Sequence, residues 1–384
     1  MACADDNRAW NAALGLAWLS PWGYHRLLRY LKTEGVEAVW RAHRRQLQSW
    51  GMTERAINGF DEKRASFSAA EARTLVDARG LRFVPYGDSD FPPELGQLTV
   101  PPAGLFVRAT DVAWQQLLTT PRVTIVGTRR TTTYGARATE SFAAAFAAAG
   151  IAVISGMAMG VDTRAHKAAV ESGGLTAAVL GCGADIVYPT ANRWLYQKIA
   201  EGGAVISELP PGATPAPWTF PHRNRLLAAL GDAVLVVEAP VTSGALQTAD
   251  AALELGRPVF TVPGSIYADG YRGCNRLLRD GAGPAIEPSV AVEDFLLQTR
   301  IERGSRQVQG GRPPGASSLS GSGPFGPGSR NDRVWAALGA GPCSVDVLVE
   351  RTGLAARELS AALAELELEG LTRRVGPGIY ARGP

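Results

Sequence analysis

The stretch TFPHRNRLLAALGDAVLVVEA, Thr219 to Ala239, joins a segment with helical spacing to an almost uninterrupted apolar run. The run AVLVVEA at 233–239 is short, rich in valine and preceded by a glycine turn, which is typical of a strand buried on both faces. Strands of that kind occur in parallel sheets that carry helices on each side. The stretch therefore predicts one helix–strand repeat of an α/β fold.

The same alternation continues on both sides of this stretch. Short apolar runs are found at 122–127, 151–155, 175–181, 204–208 and 258–264. Between them, helical segments are predicted at 134–149, 159–172, 192–201 and 243–255. The pattern predicts a Rossmann-like doubly wound parallel sheet over 81–298, with residues 81–110 as a lead-in segment.

Two further modules flank this region of the 384-residue chain. Residues 1–80 have apolar residues at helical spacing and predict a small helical module of the SAM-like or helix-hairpin-helix type. Residues 299–330 are rich in Gly, Ser, Pro and Arg, which predicts a flexible linker. Residues 331–384 predict a winged helix, with three helices and a two-stranded wing.

Composition narrows the class of protein. The net charge is only +3, so a nucleic-acid site has to be a local patch. The four cysteines are far apart and form no CxxC pair, which indicates a reduced, cytoplasmic protein without a zinc site. No signal peptide is visible at the N-terminus. The uncharged run Phe142–Val161 is mostly Ala and Gly, which favours a helix followed by a strand over a membrane span.

Polar and basic residues follow the predicted strands at the ends where doubly wound sheets bind ligands. Arginine side chains and the backbone N–H groups of a helix N-terminus are suited to phosphate. The sequence places these candidates there: Gly127, Arg129, Arg130, Ser155, Gly156, Arg223, Asn224, Arg225, Ser243 and Gly244. They predict a phosphate-binding site.

General acid–base groups are scarce in the same loops. Asp162, Glu238 and His166 are the obvious candidates, and the spacing of four between Asp162 and His166 favours a structural role over catalysis. A phosphate-binding floor without a catalytic pair favours binding over turnover. The GxGxxG fingerprint is absent after the first predicted strand, where GTRRTTTYG follows, and the Walker A motif is absent as well.

Two alternatives stay open at this point. Arg223 and Arg225 either meet a ligand anion or form salt bridges with Glu238. Trp218 and Phe220 either belong to the core or stack on bases beside the arginines, as aromatic residues do in single-strand sites.

Several motifs resemble the DNA-processing protein A family, also called DprA or Smf. They include GTRRTTTYG from Gly127, ISGMAMGVDTRAHKAAV from Ile154, FPHRNRLLAAL from Phe220 and APVTSGALQTADAALELGRPVFTVPG from Ala239. The resemblance runs from about Gly127 to Ala282. It implies a non-catalytic protein of natural transformation that needs no cofactor, binds and protects single-stranded DNA and loads the RecA recombinase onto it.

The resemblance also implies site residues and a homodimer formed through the Rossmann-like domain. The residues implied as DNA contacts are Gly127, Arg129, Ser155, Gly156, Lys167, Arg223, Asn224, Arg225, Ser243 and Gly244. Lys167 rests mainly on the resemblance. For the dimer surface we expect the helix within 241–255 and the strand 258–264.

Two rival functions remain. A nucleotide-processing enzyme of the phosphoribohydrolase type needs a PGGxGTxxE loop, but here the segment APVTSGALQTADAA lacks the paired glycines and the glutamate. A regulator of duplex DNA would act through the winged helix, but residues 330–384 contain seven Arg and seven Asp or Glu. The third predicted helix is acidic, with Glu358, Glu365, Glu367 and Glu369. We therefore expect the winged helix chiefly to contact protein or to assist only weakly in DNA binding.

Overall fold

The structure is a computed structural model that describes residues 2–19, 23–309, 329–338, 343–368, 371–376 and 379–382. Its first part is the helical module. The module contains a 3-10 helix at His25–Tyr30 and six α-helices: α1 Ala2–Leu19, α2 Leu31–Glu34, α3 Val36–Arg41, α4 Arg44–Ser49, α5 Glu54–Ser66 and α6 Ala69–Ala78. Thr53 and Ser68 accept hydrogen bonds from the first turns of α5 and α6, which fixes where these helices begin.

A nine-stranded sheet forms the centre of the fold. Its strands are β1 Arg82–Pro85, β2 Gly104–Ala109, β3 Arg122–Val126, β4 Ala152–Ser155, β5 Thr176–Val179, β6 Ala204–Ser207, β7 Ala233–Val236, β8 Val259–Thr261 and β9 Gly283–Pro284. The strand order is β1-β2-β6-β5-β4-β3-β7-β8-β9. The six predicted strands are present as β3 to β8, each paired in parallel.

The sheet is mixed and not wholly parallel as predicted. Strand β2 pairs antiparallel with both β1 and β6, so the lead-in segment forms a hairpin on the edge of the sheet. Strands β1 and β2 pair antiparallel although residues 86–103, which include a 3-10 helix at Pro93–Gln97, lie between them. The pairing partner β6 is about a hundred residues away along the chain, and local sequence does not encode it.

Helices cover both faces of the parallel strands. They are α7 Asp111–Thr119, α8 Thr133–Ala148, α9 Val161–Glu171, α10 Arg193–Gly202, α11 Thr219–Leu230, α12 Gly244–Glu254, α13 Arg272–Arg279 and α14 Pro288–Gln309. Val123 and Ile125 pack with the residues of α8 and α9, whereas Val126 packs with those of α11 and α12. Both faces of β3 are thus buried, as expected for a strand inside a parallel sheet, and the buried residues include Arg122 and Thr124.

The helical module and the sheet share one core, and residues Met1–Leu296 form one compact unit. Trp10 packs edge-to-face on Phe83 with ring centroids 5.4 Å apart, and Trp18 packs on Phe106 at 6.3 Å. Phe83 and Phe106 lie on β1 and β2. The predicted division at residue 80 is therefore not a boundary between separately packed units.

The predicted linker at 299–330 needs a correction at its start. Helix α14 continues through Gln309, so the first eleven residues assigned to the linker are helical. Composition alone had suggested irregular chain for this polar segment. Residues 310–328 of the predicted linker lie outside the described residues.

The second compact unit begins at Leu297 and contains the winged helix. Its elements are α15 Arg330–Leu338, β10 Cys343–Ser344, α16 Val345–Thr352, α17 Ala356–Leu368, β11 Thr372–Gly376 and β12 Ile379–Arg382. The predicted apolar face of α17 is buried: Leu359, Ala362, Leu363 and Leu366. In the ranges that the structure describes, every helix is too short or too polar to cross a lipid bilayer.

Candidate nucleic-acid interface

The strand order places a crevice at the carboxyl end of β3. This strand lies between β4 and β7, so the chain leaves the ends of β3 and β7 toward opposite faces of the sheet. Such a switch point is where open α/β sheets bind ligands. A groove of about 590 Å³ lies here. Its lining includes predicted residues from three segments: Gly127, Arg129, Phe220, Arg223, Asn224, Ser243 and Gly244.

The loop after β3 forms one wall of the groove. A Cβ atom on Gly127 would lie 2.5 Å from the Val161 side chain, so the close approach of this backbone to α9 requires glycine. Arg129 is exposed, and no described carboxylate lies within ion-pair distance of its guanidinium. The guanidinium carbon of Arg129 lies 5.3 Å from the centre of the Phe220 ring. This loop therefore presents an unneutralised positive charge beside an aromatic face.

The buried carboxylate of Glu238 fixes the position of the loop after β3 through hydrogen bonds. Its Oε2 atom accepts hydrogen bonds from the backbone N–H of Thr132 at 2.9 Å and from the Thr132 hydroxyl at 3.0 Å. Thr132 in turn caps α8 by accepting from the N–H of Gly135 at 3.1 Å. Glu238 is buried, and its carboxylate stabilises the N-terminus of α8. The neighbouring Arg130 is exposed outside the groove lining.

Arg223 is buried under the groove and contacts the protein itself. Its Nη1 atom donates to the carbonyl oxygen of Gly156 at 2.9 Å and also to that of Val179. Burial lowers the pKa of Arg223, and the nearby Asp162 acts in the opposite direction. Arg223 thus joins α11 to the ends of β4 and β5.

Asp162 completes this buried network. Its Oδ2 atom accepts from the backbone N–H groups of Gly156 at 3.2 Å and Ala158 at 3.3 Å. Burial raises the pKa of the Asp162 carboxyl, while Arg223 and these hydrogen bonds oppose the increase. Gly156 leaves room for Arg223, because a Cβ atom there would lie 2.3 Å from Nη1.

Arg225 does not line the groove. Its Nη2 atom pairs with the buried carboxylate of Glu208, and its Nη1 atom donates to the carbonyl oxygen of Val100 at 2.9 Å. Residues two apart on a helix point about 200° apart, so Arg223 and Arg225 cannot both face one site. The salt-bridge interpretation is therefore right for Arg225, but its partner is Glu208 and not Glu238.

Two other predicted site residues also lie elsewhere. Ser155 is fully buried and donates to the carbonyl oxygen of Ile125 at 2.7 Å, because β4 continues through this position. Lys167 is exposed on α9 and pairs with Glu171, with 3.6 Å between Nζ and Oε1. Lys167 is absent from the groove lining. The spacing of polar residues along the chain does not reveal these orientations.

His166 is a buried structural residue. Its Nδ1 atom lies 2.7 Å from the hydroxyl oxygen of Thr176. Burial lowers the pKa of His166 to about 3, so the ring is neutral. The structural interpretation of Asp162 and His166 fits these contacts, although the two side chains bond to different partners.

The opposite walls of the groove offer a helix N-terminus and an aromatic face. Ser243 accepts from the N–H of Ala245 at 3.2 Å and caps α12, and Asn224 donates to the carbonyl oxygen of Gly244 at 3.2 Å. The helix N-terminus carries partial positive charge and donors suited to an anion. Phe220 lines the groove and packs against Tyr188 with ring centroids 5.7 Å apart. Tyr188 was not among the predicted site residues, although it follows directly on the apolar pair Ile186 and Val187 in the loop after β5.

A family model described as DNA recombination-mediator protein A matches residues 82–296, and one described as DprA winged helix domain matches residues 323–378. Protein Smf of Escherichia coli strain K12 is 35% identical over 340 residues, which cover 88% of this chain and 86% of that protein.

Two solved structures are also similar. The X-ray structure of DNA processing protein A from Streptococcus pneumoniae has a TM-score of 0.63 at 30% identity, covering 74% of this chain and 98% of that chain. A Helicobacter pylori DNA processing protein A, described for its single-stranded DNA binding mode, has a TM-score of 0.52 at 29% identity, covering 57% and 98%. On the family match and the identity to protein Smf, the chain belongs to the DNA recombination-mediator protein A family, DprA or Smf.

Proposed function

We propose that the groove binds single-stranded DNA through its phosphates. The observation that carries this proposal is the exposed guanidinium of Arg129, which has no described carboxylate partner and lies against Phe220 at the switch point of the sheet. A free cation beside an aromatic face suits a phosphate next to an unpaired base. The Helicobacter pylori relative, described for its single-stranded DNA binding mode, supports the same ligand.

The predicted residues take different roles in this proposal. Direct contacts to DNA in the groove come from Arg129, Phe220, Asn224, and the start of α12 at Ser243 and Gly244. Arg130 is exposed outside the groove lining and would meet a strand only beyond the groove. Gly127 lets the loop approach α9, and Gly156 and Arg223 hold the floor. Phosphate contacts carry no sequence information, so binding is expected to tolerate any base. Ser155, Lys167 and Arg225 are left out of the contact set.

The groove is proposed to bind and not to catalyse. Asp162 and Glu238 accept hydrogen bonds from the protein backbone, and His166 is fully buried. A general base has to reach the proton that it removes, and these three groups are committed to internal contacts. The geometry therefore favours a recombination mediator over the alternative nucleotide-processing enzyme, which an AMP hydrolysis assay tests directly.

Homodimer formation and RecA loading belong to the same proposal. RecA loading and a role in natural transformation are supported by membership of a family of recombination mediators. For the dimer, exposed apolar residues supply a candidate surface: Val241, Leu253, Ile266 and Tyr267. They belong to the predicted helix and to the loop that follows β8. The strand β8 itself is paired on both sides by β7 and β9, so it is removed from the predicted surface.

A salt-series titration tests the groove. Fluorescent oligo-dT and a matched duplex are titrated with wild type, Arg129→Ala and the control Lys167→Ala. Each lost phosphate contact lowers the slope of log affinity against log salt by about 0.7 for single strands. We expect that loss for Arg129→Ala on every sequence, and little change for Lys167→Ala. Preference for duplex, or equal losses in both variants, would place the DNA site elsewhere.

A further inference from the structure

The helical module contacts the groove wall through two histidines. His25, at the start of the 3-10 helix, packs edge-to-face on His222 of α11 with ring centroids 5.3 Å apart. His222 lies between Pro221 and Arg223, which both line the groove. The first turn of α11 thus separates the groove from this part of the module.

Positive charges converge on this contact. Burial is the largest cause that lowers the pKa of His25. The charges of Arg26, Arg225 and Arg29 lower it further, and the carboxylate of Glu208 opposes them. These four charged groups therefore all lie near enough to act on His25. The net charge of these four groups is positive, because there are three guanidinium groups and one carboxylate.

Arg26 and Arg29 remain available to a partner. Both side chains belong to exposed residues, and neither has a described hydrogen-bond or ion-pair partner. Glu208 is already paired with Arg225 and lies 3.7 Å from the Nε2 atom of His222. Unpaired arginines that repel one another are stabilised by an anion, and a phosphate accepts two guanidinium forks well.

The same end of α11 also presents an aromatic ring. Trp218 is the residue before α11 and is 55% exposed. Pro217 and Pro221, on either side of it in the chain, line the groove. An exposed tryptophan beside a phosphate-binding groove is a platform on which an unpaired base can stack. Nucleic acid therefore fits this surface better than an acidic peptide, which would leave the ring unused.

We propose that Arg26 and Arg29 form a second phosphate contact, so that the helical module extends the DNA-binding surface beyond the groove. This inference rests on the proposed binding of single-stranded DNA. A strand held by Arg129 passes the first turn of α11 and reaches the module. Short strands use the groove alone, and longer strands use both contacts.

The test compares strand lengths on the full-length protein. Labelled oligo-dT of about 6 and about 30 nucleotides, short and long against the usual site size, is titrated over a salt series. The variants are Arg26→Ala/Arg29→Ala and a matched control, Arg45→Ala/Arg55→Ala. The control arginines are exposed on α4 and α5 of the same module and do not act on His25. Thermal melting establishes that each variant is folded, and Arg26→Glu/Arg29→Glu provides a second, stronger perturbation.

We expect the first variant to lower the salt slope for the long strand by about 1.4, which corresponds to two phosphates. Between 50 and 200 mM salt this is a difference of about sevenfold in affinity. The short strand and the control pair should be unaffected. Unchanged binding of the long strand, or equal weakening of both lengths, would overturn the proposal. Failure of wild type to bind either strand would instead overturn the proposed function.

Discussion

Arg223 donates a hydrogen bond from Nη1 to the carbonyl oxygen of Gly156, across 2.9 Å. A side chain that the sequence offers as a ligand for DNA is thereby used to hold two strands and a helix together. The floor of the groove is made by an internal cation, and the exposed Arg129 is left for the ligand.

Replacing Gly156 with alanine should disturb this floor. The new Cβ atom would lie 2.3 Å from Nη1 of Arg223, and overpacking of this kind costs about 1–3 kcal/mol. Urea unfolding measures the loss. Gly202→Ala is the control, because a Cβ atom at Gly202 meets nothing within 4 Å. Equal stability of the two variants would contradict the tight packing described for Gly156.

Arg225→Ala should reduce stability and leave the groove's own contacts in place. It removes the partner of the buried Glu208 carboxylate, and breaking a buried ion pair costs about 3–5 kcal/mol. Replacing Glu208 with glutamine in the same chain should recover part of that loss. The midpoint of urea unfolding distinguishes these variants. A stable Arg225→Ala variant that has lost single-strand affinity would return Arg225 to the set of DNA contacts.

Phe220→Ala should weaken binding of single strands regardless of sequence. Stacking of a base on an aromatic side chain contributes about 1–3 kcal/mol. The ring also faces Arg129, so its loss removes a cation–π contact. Phe220→Tyr should retain most of the affinity. Trp194→Ala is the control, because Trp194 is an exposed aromatic residue outside the groove lining; a comparable loss there would argue against a specific stacking site.

His166 should make stability fall in acid. The folded protein has a pKa of about 3 at this ring, below the ordinary 6.5, so the unfolded chain takes up the proton more readily. Stability is therefore greatest above pH 6.5 and decreases toward pH 3, by up to about 1.4 kcal/mol per pH unit. Burial is the main cause, and Arg223 adds to it. Denaturation at several pH values should show a shallower decrease in His166→Gln. Asp162, whose pKa burial raises, contributes with the opposite sign and does not account for the decrease.

Deleting residues 331–384 should leave most of the single-strand affinity. The winged helix exposes Glu358 and Glu367 on α17, and acidic side chains repel phosphate. In addition, Arg330 is paired with Glu365. We expect a change smaller than tenfold, or about 1.4 kcal/mol, in a direct titration. A greater loss would show that this unit contributes to the DNA surface.

The order of strands and helices could be predicted because local sequence encodes it. Val123 and Ile125 face one helix layer and Val126 faces the other, so a short run rich in apolar residues identifies a strand buried on both sides. The antiparallel edge formed by β1 and β2 was missed, since pairing between distant segments has no local signature.

The site was predicted in position and only partly in its residues. The ends of the predicted strands and the glycines there identified the loops after β3 and β7, because ligands of doubly wound sheets bind at the carboxyl ends of the strands. The direction of each charged side chain depends on partners elsewhere in the chain, such as Glu208 for Arg225. The spacing of Arg223 and Arg225 could have shown that they do not face the same site, since residues two apart on a helix point in different directions.

The contacts of Trp10 with Phe83 and of Trp18 with Phe106 have a consequence for how this protein tolerates change. The helical module cannot be replaced independently of the sheet, because its tryptophans cover Phe83 and Phe106. Removing the module would expose both phenylalanines to water. Damage to the module core would therefore lower the amount of folded groove, even with every residue of the groove intact. We therefore expect the helical module and the sheet to be retained together in evolution, because each depends on these aromatic contacts.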